Sequence, residues 1–305
     1  MKNIIITGSS GFVGSNFVKY FTNNYNLYCP KRDGLKELFE NNKKFDGIIH
    51  LAGKAHDLKS NSLDDVYFKI NTEITIQLFD KFIESDCEFF IFFSSVKASA
   101  DNVDTVLTED DIANPQTPYG RSKLLAERHI LNKIEKLDLI GLNKRIYILR
   151  PCMIHGPNNK GNLNLLYKIV KKGIPWPLGN FNNRRSFCSV DNLNFIVKEI
   201  VKNRNIKSGI YNISDDETIS TNELIKLISF SLNKKNLILN IYPKFIKLIA
   251  VIGDVINLPL NSERLKKLTE SYVVSNKKIK NAIGVNNMPI KSKEGLIKTI
   301  NSFNN

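Results

Sequence analysis

The first twenty residues constrain this chain more than any others. "KNIIITG" is a short β-branched run that ends at a glycine, and "FVGSNFVKYFTNN" takes up helical periodicity directly after it. The pattern predicts a strand, a glycine turn and a helix. Gly8, Gly11 and Gly14 fall on that turn, in "TGSSGFVG". Glycines there allow a tight turn and a close backbone approach, and a helix N-terminus presents free amides to a pyrophosphate. A dinucleotide site is the expectation.

The theme repeats along the N-terminal half. "NLYCP" is weakly written as a strand, "FDGIIHLAG" reads as a buried strand, and a helical pattern runs from about Leu63 to Glu84. "CEFFIFFSS" predicts a strand, residues 118–137 a helix, and "RIYILRP" another strand. Such alternation argues for a parallel sheet covered on both faces. After Arg150 the rhythm loosens. "HGPNNKGN" and "KKGIPWPLGNFNNRRSF" read as loops around a helix at 162–172, and "GIYNIS" as a late strand. "STNELIKLISFSL" opens with a capping box, Ser220 to Glu223. The expected fold class is α/β, a Rossmann-type doubly wound parallel sheet with a smaller, interleaved C-terminal substrate-binding region. The expected division is 1–154, with part of 186–215, for the cofactor, and 155–185 with 216–305 for the substrate.

The bulk numbers exclude several classes. The 305 residues are 42% hydrophobic, ordinary for a globular chain with a core. Cys29, Cys87, Cys152 and Cys188 are scattered without metal spacing, so neither a disulfide framework nor a metal is expected. The net charge of +14 is spread along the chain with no run of five basic residues, which argues against a nucleic-acid partner. It would still attract polyanionic ligands such as nucleotides. "MKNIIITGSSGFVGS" lacks a signal-peptide core, so the cytoplasm is expected. "FIKLIAVIGDVINLPL", residues 245–260, is too short and too charged to span a bilayer and reads as a partly buried helix. The histidines form no ligand set; His50 is expected to be buried at a strand end and His155 to line a cleft.

"TPYGRSKLLAE" places Tyr119 and Lys123 four apart at a helix start introduced by Pro118. Residues i and i+4 are neighbours on a helix, so an ammonium there would pull down the phenol pKa. Taken with the phosphate turn, the chain resembles the extended short-chain dehydrogenases of the NAD-dependent epimerase/dehydratase family, which act on nucleotide sugars. "TGSSGFVGS", "IIHLAG", "FFSSVKASA", "PYGRSK", "LRPCMIHGP" and "RRSFCSVDN" follow the family's order over nearly the whole chain.

The resemblance implies a catalytic Ser95, Tyr119 and Lys123, with Ser94 the alternative serine. Tyr119 would exchange a proton with the sugar oxygen, Ser95 would bind that oxygen, and Lys123 would lower the tyrosine pKa while gripping the nicotinamide ribose. It also implies cofactor contacts from Gly8, Ser10, Gly11, Phe12, Val13 and Gly14, and from Leu51, Ala52 and Gly53. Lys31 and Arg32, at the tip "CPKRD", favour NADP over NAD, although Asp33 stands just beyond. Arg185 would meet the substrate diphosphate, with Asn162 and Arg264 as further substrate contacts.

Departures from the family pattern narrow the reaction. Val96 and Lys97 replace the Asp-Glu pair of the 4,6-dehydratases. Lys97 and Asn158 stand where the GDP-fucose-synthase branch carries its cysteine and histidine, and Met153 replaces a polar substrate contact. What remains is redox at a single carbon, carbon 4 of a UDP-sugar. "GNFNNRRSF" resembles bacterial enzymes that prepare UDP-N-acetylated deoxysugars for surface polysaccharide such as lipopolysaccharide. The favoured expectation is a UDP-4-keto-6-deoxy-N-acetylhexosamine 4-reductase. A UDP-glucose or UDP-N-acetylglucosamine 4-epimerase is the enzymatic alternative, and a non-catalytic dinucleotide-binding module the alternative from another class. A homodimer through the helices at 63–84 and 118–137 is expected.

Overall fold

The computed structural model describes residues 1–31, 43–55, 64–137, 144–159, 161–256 and 260–304. β1 (Asn3–Thr7) leads into α1 (Phe12–Phe21), and β2 (Asn26–Tyr28) and β3 (Gly47–His50) follow. A helical run comes next: α2 (Asp64–Tyr67), a π-helical turn (Phe68–Glu73) and α3 (Ile74–Glu84). Then come β4 (Phe89–Phe93), β5 (Val106–Leu107), α4 (Pro118–Leu137), β6 (Arg145–Pro151), β7 (Met153–His155) and α5 (Asn162–Lys171). β8 (Arg185–Ser189), α6 (Val190–Lys202), β9 (Gly209–Ile213), β10 (Thr218–Ile219) and α7 (Thr221–Ser231) follow. The chain continues through α8 (Pro243–Ile256), α9 (Ser262–Thr269), β11 (Val273–Val274), α10 (Lys277–Ile283) and α11 (Ser292–Asn301).

The described residues form a six-stranded sheet in the order β2-β1-β3-β4-β6-β9, every pairing parallel. β4, "FFIFF", explains why both faces must be covered, since all five residues are buried. Phe89, Ile91 and Phe93 pack on one side with Phe17 and Phe21 of α1 and Ile196 of α6. Phe90 and Phe92 pack on the other with Phe79 and Phe82 of α3 and Ile130 of α4. Each such side chain contributes roughly 1.5–3 kcal/mol on burial, and only helices on both faces collect it all. This is the doubly wound parallel sheet. Its strand order reverses between β1 and β3, and ligands bind such sheets in the crevice beyond the strand ends at that point.

A second core lies around Trp176, Phe187, Ile225, Ile246, Leu265 and Leu296. It includes β8, which sits between β10 and β7 in a three-stranded sheet. The capping box forms as predicted: Ser220 Oγ accepts from the Glu223 amide at 3.0 Å, and Glu223 Oε2 accepts from the Ser220 amide at 2.9 Å. One prediction needs adjustment. The helix expected over 63–84 is interrupted by the π-helical turn, and Leu63 lies outside the described residues. The partly buried helix expected over 245–260 forms as α8 (Pro243–Ile256), burying Ile246, Ala250 and Gly253. Among the described residues no helix is long and apolar enough to cross a membrane.

Candidate active site

The glycine turn lies at the sheet's switch point. Gly8 adopts a left-handed φ of 72°, and a Cβ on it would come within 2.6 Å of the Ala52 amide nitrogen. A Cβ on Gly14 would stand 2.7 Å from Ser9 Cα, so both positions require glycine if turn and helix are to pack this closely. The Gly11 amide donates to Gly8 O at 3.1 Å, and Gly11 caps α1 without a side-chain acceptor for the first helical amides. Those amides and the cradle around them fit a pyrophosphate. Ser10 is exposed on the turn, Phe12 and Val13 are half-buried in the first turn of α1, and Leu51, Ala52 and Gly53 follow β3 into the same crevice. Lys31 is exposed beyond β2, while Arg32 lies outside the described residues.

α4 begins where the sequence predicts. Thr117 Oγ1 accepts from the Gly120 amide at 3.2 Å, Pro118 occupies the first helical position, and Asp101 takes the Thr117 hydroxyl at 3.0 Å. The helix carries half-buried Tyr119 and buried Lys123 towards the end of β4. Lys123 Nζ donates to Phe93 O at 2.8 Å and lies 4.8 Å from the centre of the Phe92 ring. Ser95 Oγ accepts from the Lys97 amide at 3.2 Å and lies close enough to the Tyr119 hydroxyl to lower its pKa. Ser94, its neighbour, points elsewhere and donates to Glu127. The geometry therefore favours Ser95 over Ser94 as the serine beside the tyrosine.

The tyrosine's acidity differs from the sequence expectation. Burial pushes the Tyr119 pKa up, Ser95 pulls it down by less, and Tyr67 adds to the rise. Lys123 does not acidify it in the protein alone. Burial brings the lysine's own pKa down to about 8, with Glu127 opposing the fall, and its ammonium is directed at the Phe93 carbonyl.

Three residues that sequence reasoning missed hold this arrangement. Glu127, fully buried one turn beyond Lys123, pairs with Arg150 through Nη2–Oε2 at 2.5 Å and Nε–Oε1 at 3.0 Å. The signal was available: Tyr119, Lys123 and Glu127 recur every fourth residue on an otherwise apolar helix face, and Arg150 interrupts a buried strand. Asn71, in the π-helical turn, donates to Lys54 O and Ser122 Oγ at 3.0 Å each and accepts from the Lys54 amide at 2.7 Å. Its amide thus ties the loop after β3 to α4. Single-turn π-bulges inside helices mark functional sites often enough to make this local irregularity informative.

His50 is buried at the end of β3, as expected, and its tautomer follows from its partners. Thr75 Oγ1 donates to Asn71 O at 2.7 Å, so it accepts from His50 Nε2–H at 2.9 Å. Nδ1 then accepts from Thr7 Oγ1 at 2.6 Å, and Thr7 Oγ1 accepts from the Ala52 amide at 3.2 Å. Burial, with Lys123 nearby, brings the His50 pKa down to about 3. The unfolded chain would protonate this ring below about 6.5 while the folded protein holds it neutral, so stability must fall as pH drops from about 6.5 towards 3. His50→Gln is expected to remove up to about 1.4 kcal/mol per pH unit from that slope between pH 6 and 4. Urea unfolding across this range measures it, and an unaltered slope would show that His50 titrates normally.

At the substrate end, Arg185 opens β8, half-buried, and burial lowers its pKa against the opposing charge of Glu270. Lys97 lies close enough for its charge and that of Arg185 to be felt mutually; its ammonium donates to Asp101 O at 2.6 Å over the Tyr272 ring. Arg184 turns aside to Thr218 Oγ1 at 3.2 Å. Asn162 is the first residue of α5, and Arg264 lies exposed near the start of α9. His155 does not line the cleft. It is buried, with Nδ1 2.9 Å from Thr299 Oγ1 and Nε2 3.4 Å from Asp215, because β7 carries it beneath α11. The four cysteines are free, and among the described residues no His, Cys, Asp and Glu group is arranged to hold a metal ion.

Comparison with known proteins identifies the family and the fold. A UDP-glucose 4-epimerase of Vibrio cholerae is 30% identical over 258 residues, 76% of each chain. A dTDP-4-dehydro-6-deoxyglucose reductase of Escherichia coli is 25% identical over 273 residues, 78% of this chain and 84% of that protein. The solved structure of MoeE5 in complex with UDP-glucose and NAD matches with a TM-score of 0.77 over 99% of this chain and 98% of that one; at 20% identity this is a likeness of fold. Residues 4–214, spanning the glycine turn, Ser95, Tyr119, Lys123 and Arg185, match the NAD dependent epimerase/dehydratase family, and the chain belongs to it.

Proposed function

We propose that the protein oxidises or reduces carbon 4 of a UDP-sugar, with NAD(P) as cofactor. The observation that carries this reading is the convergence at the end of β4 of Tyr119, buried Lys123, whose ammonium donates to Phe93 O, and Ser95, close enough to lower the phenol pKa. When bound, the nicotinamide supplies or accepts hydride at the sugar carbon. The chain's own groups manage the proton. Tyr119, protonated at neutral pH as a phenol ordinarily is and its pKa raised further by burial, gives its proton to the sugar oxygen in the reductive direction, and Ser95 orients that oxygen. Lys123 places a positive charge behind the pair and has donors left over for a ribose hydroxyl. Arg185 and Lys97 supply the cationic setting for a diphosphate.

The finer reading is a 4-keto reductase of a UDP-4-keto-6-deoxy-N-acetylhexosamine serving surface polysaccharide, acting as a homodimer. Support comes from Lys31 and Arg32, which suit the extra phosphate of NADP, and from the absence of an acid pair after Ser95, where Val96 and Lys97 stand. A 4-epimerase is the second reading, favoured by the 30% identical Vibrio cholerae relative. Retention of Ser95, Tyr119 and Lys123 together argues against a non-catalytic module. Denaturing the purified protein and identifying any released dinucleotide separates the two enzymes. The reductase is expected to release little and to consume added NADPH with a UDP-4-keto sugar. Tightly held NAD with no net NADPH consumption would establish the epimerase instead.

A further inference from the structure

α8 is anchored to the second core by one narrow stripe, Ile246, Ala250 and Gly253. At about 100° per residue, the opposite side of the helix carries Phe245, Leu248, Val251, Ile252, Val255 and Ile256. These side chains are 46% to 79% exposed. Tyr242 extends the patch, its ring 6.4 Å from that of Phe245, and Leu237 and Leu239 are exposed just before it in the chain. A contiguous apolar surface of this kind on a soluble chain marks a contact site.

Charge identifies the occupant. Residues 232–269 contain seven Lys and Arg against two Asp and Glu. Both acids are engaged locally: Asp254 Oδ2 accepts from Ser262 Oγ at 2.5 Å, and Glu263 pairs with Lys267 at 2.5 Å. Lys244 and Lys247 are exposed on α8 itself. An apolar helix face flanked by lysines is the pattern of helices that lie in the headgroup layer of an anionic bilayer. A second copy of this chain would bring the same positive charge to the contact. At 14 residues α8 is about 21 Å long, too short to cross a hydrocarbon core of about 30 Å, so it would lie along the surface. We infer that the outward face of α8 docks this protein peripherally on an anionic membrane.

The test is co-sedimentation of the full-length protein with vesicles of phosphatidylethanolamine and phosphatidylglycerol, compared with vesicles of phosphatidylcholine alone. Binding to the anionic vesicles is expected to exceed binding to the neutral ones at least about tenfold, as a few lysines near charged lipid would produce. The triple variant Phe245→Ser, Leu248→Ser and Val255→Ser is expected to lose at least about tenfold in bound fraction, since the apolar area is what inserts. These side chains point away from the core, and an unchanged thermal midpoint confirms the fold. Lys244→Glu with Lys247→Glu, which leaves the apolar face intact, is expected to weaken anionic binding alone. Absence of binding to either vesicle, or equal binding by the triple variant, would overturn the inference. So would a dimer in sedimentation equilibrium that the triple variant dissolves, because a second copy would then cover the face.

Discussion

Tyr119→Phe is expected to lower kcat/KM at least about a hundredfold, the typical contribution of a positioned general acid. The substitution removes one oxygen and little else. The ring stays in the first turn of α4, in edge contact with Tyr67 at 6.3 Å between centres, and the Thr117–Pro118 helix start is untouched. What disappears is the hydroxyl whose pKa Ser95 influences. Because a phenol is protonated at neutral pH and burial raises its pKa further, its loss removes a proton donor already in the correct state for reduction. Steady-state kinetics at saturating dinucleotide, with thermal unfolding and dinucleotide binding as controls, measure the effect. Undiminished turnover by a folded variant would remove Tyr119 from the chemistry.

The largest loss of stability is expected from Glu127→Ala. Glu127 and Arg150 are 0% and 3% exposed, and the carboxylate also takes the Ser94 hydroxyl. Truncating the acid leaves a buried guanidinium and a serine without their acceptor, a change that typically costs about 3–5 kcal/mol. The cost comes from the abandoned charge, not from a large net value of the pair. A double variant, Glu127→Met with Arg150→Met, should therefore recover more than half of the loss, because two apolar side chains of similar volume need no partner. Urea unfolding of the two single variants and the double variant measures the coupling. A loss below about 1 kcal/mol for Glu127→Ala would mean that water reaches Arg150.

Much of the scaffold was legible because its signals are local. The β-branched run ending at Gly8, the 20-residue helix over 118–137 and the Ser220–Glu223 cap each depend on residues within a few turns of one another. The π-helical turn around Asn71 was not legible, because it answers to Ser122 and Lys54, on other segments of the chain. The extent to which α8 is exposed was also hidden. The sequence reads it as partly buried, and only packing shows that Ile246, Ala250 and Gly253 are the residues that turn inward.

The sequence by itself determined the strand–turn–helix order, the glycines at the phosphate turn and the spacing of Tyr119, Lys123 and Ser95, since these follow from periodicity and short-range sterics. The tertiary structure alone decided that Ser95 meets the tyrosine while Ser94 meets Glu127, that His155 goes inward, and that the Tyr119 pKa rises. Those outcomes turn on burial and on partners far apart in the chain, such as Glu127 with Arg150, and a low-dielectric environment exists only once the sheet and its helices have closed around them.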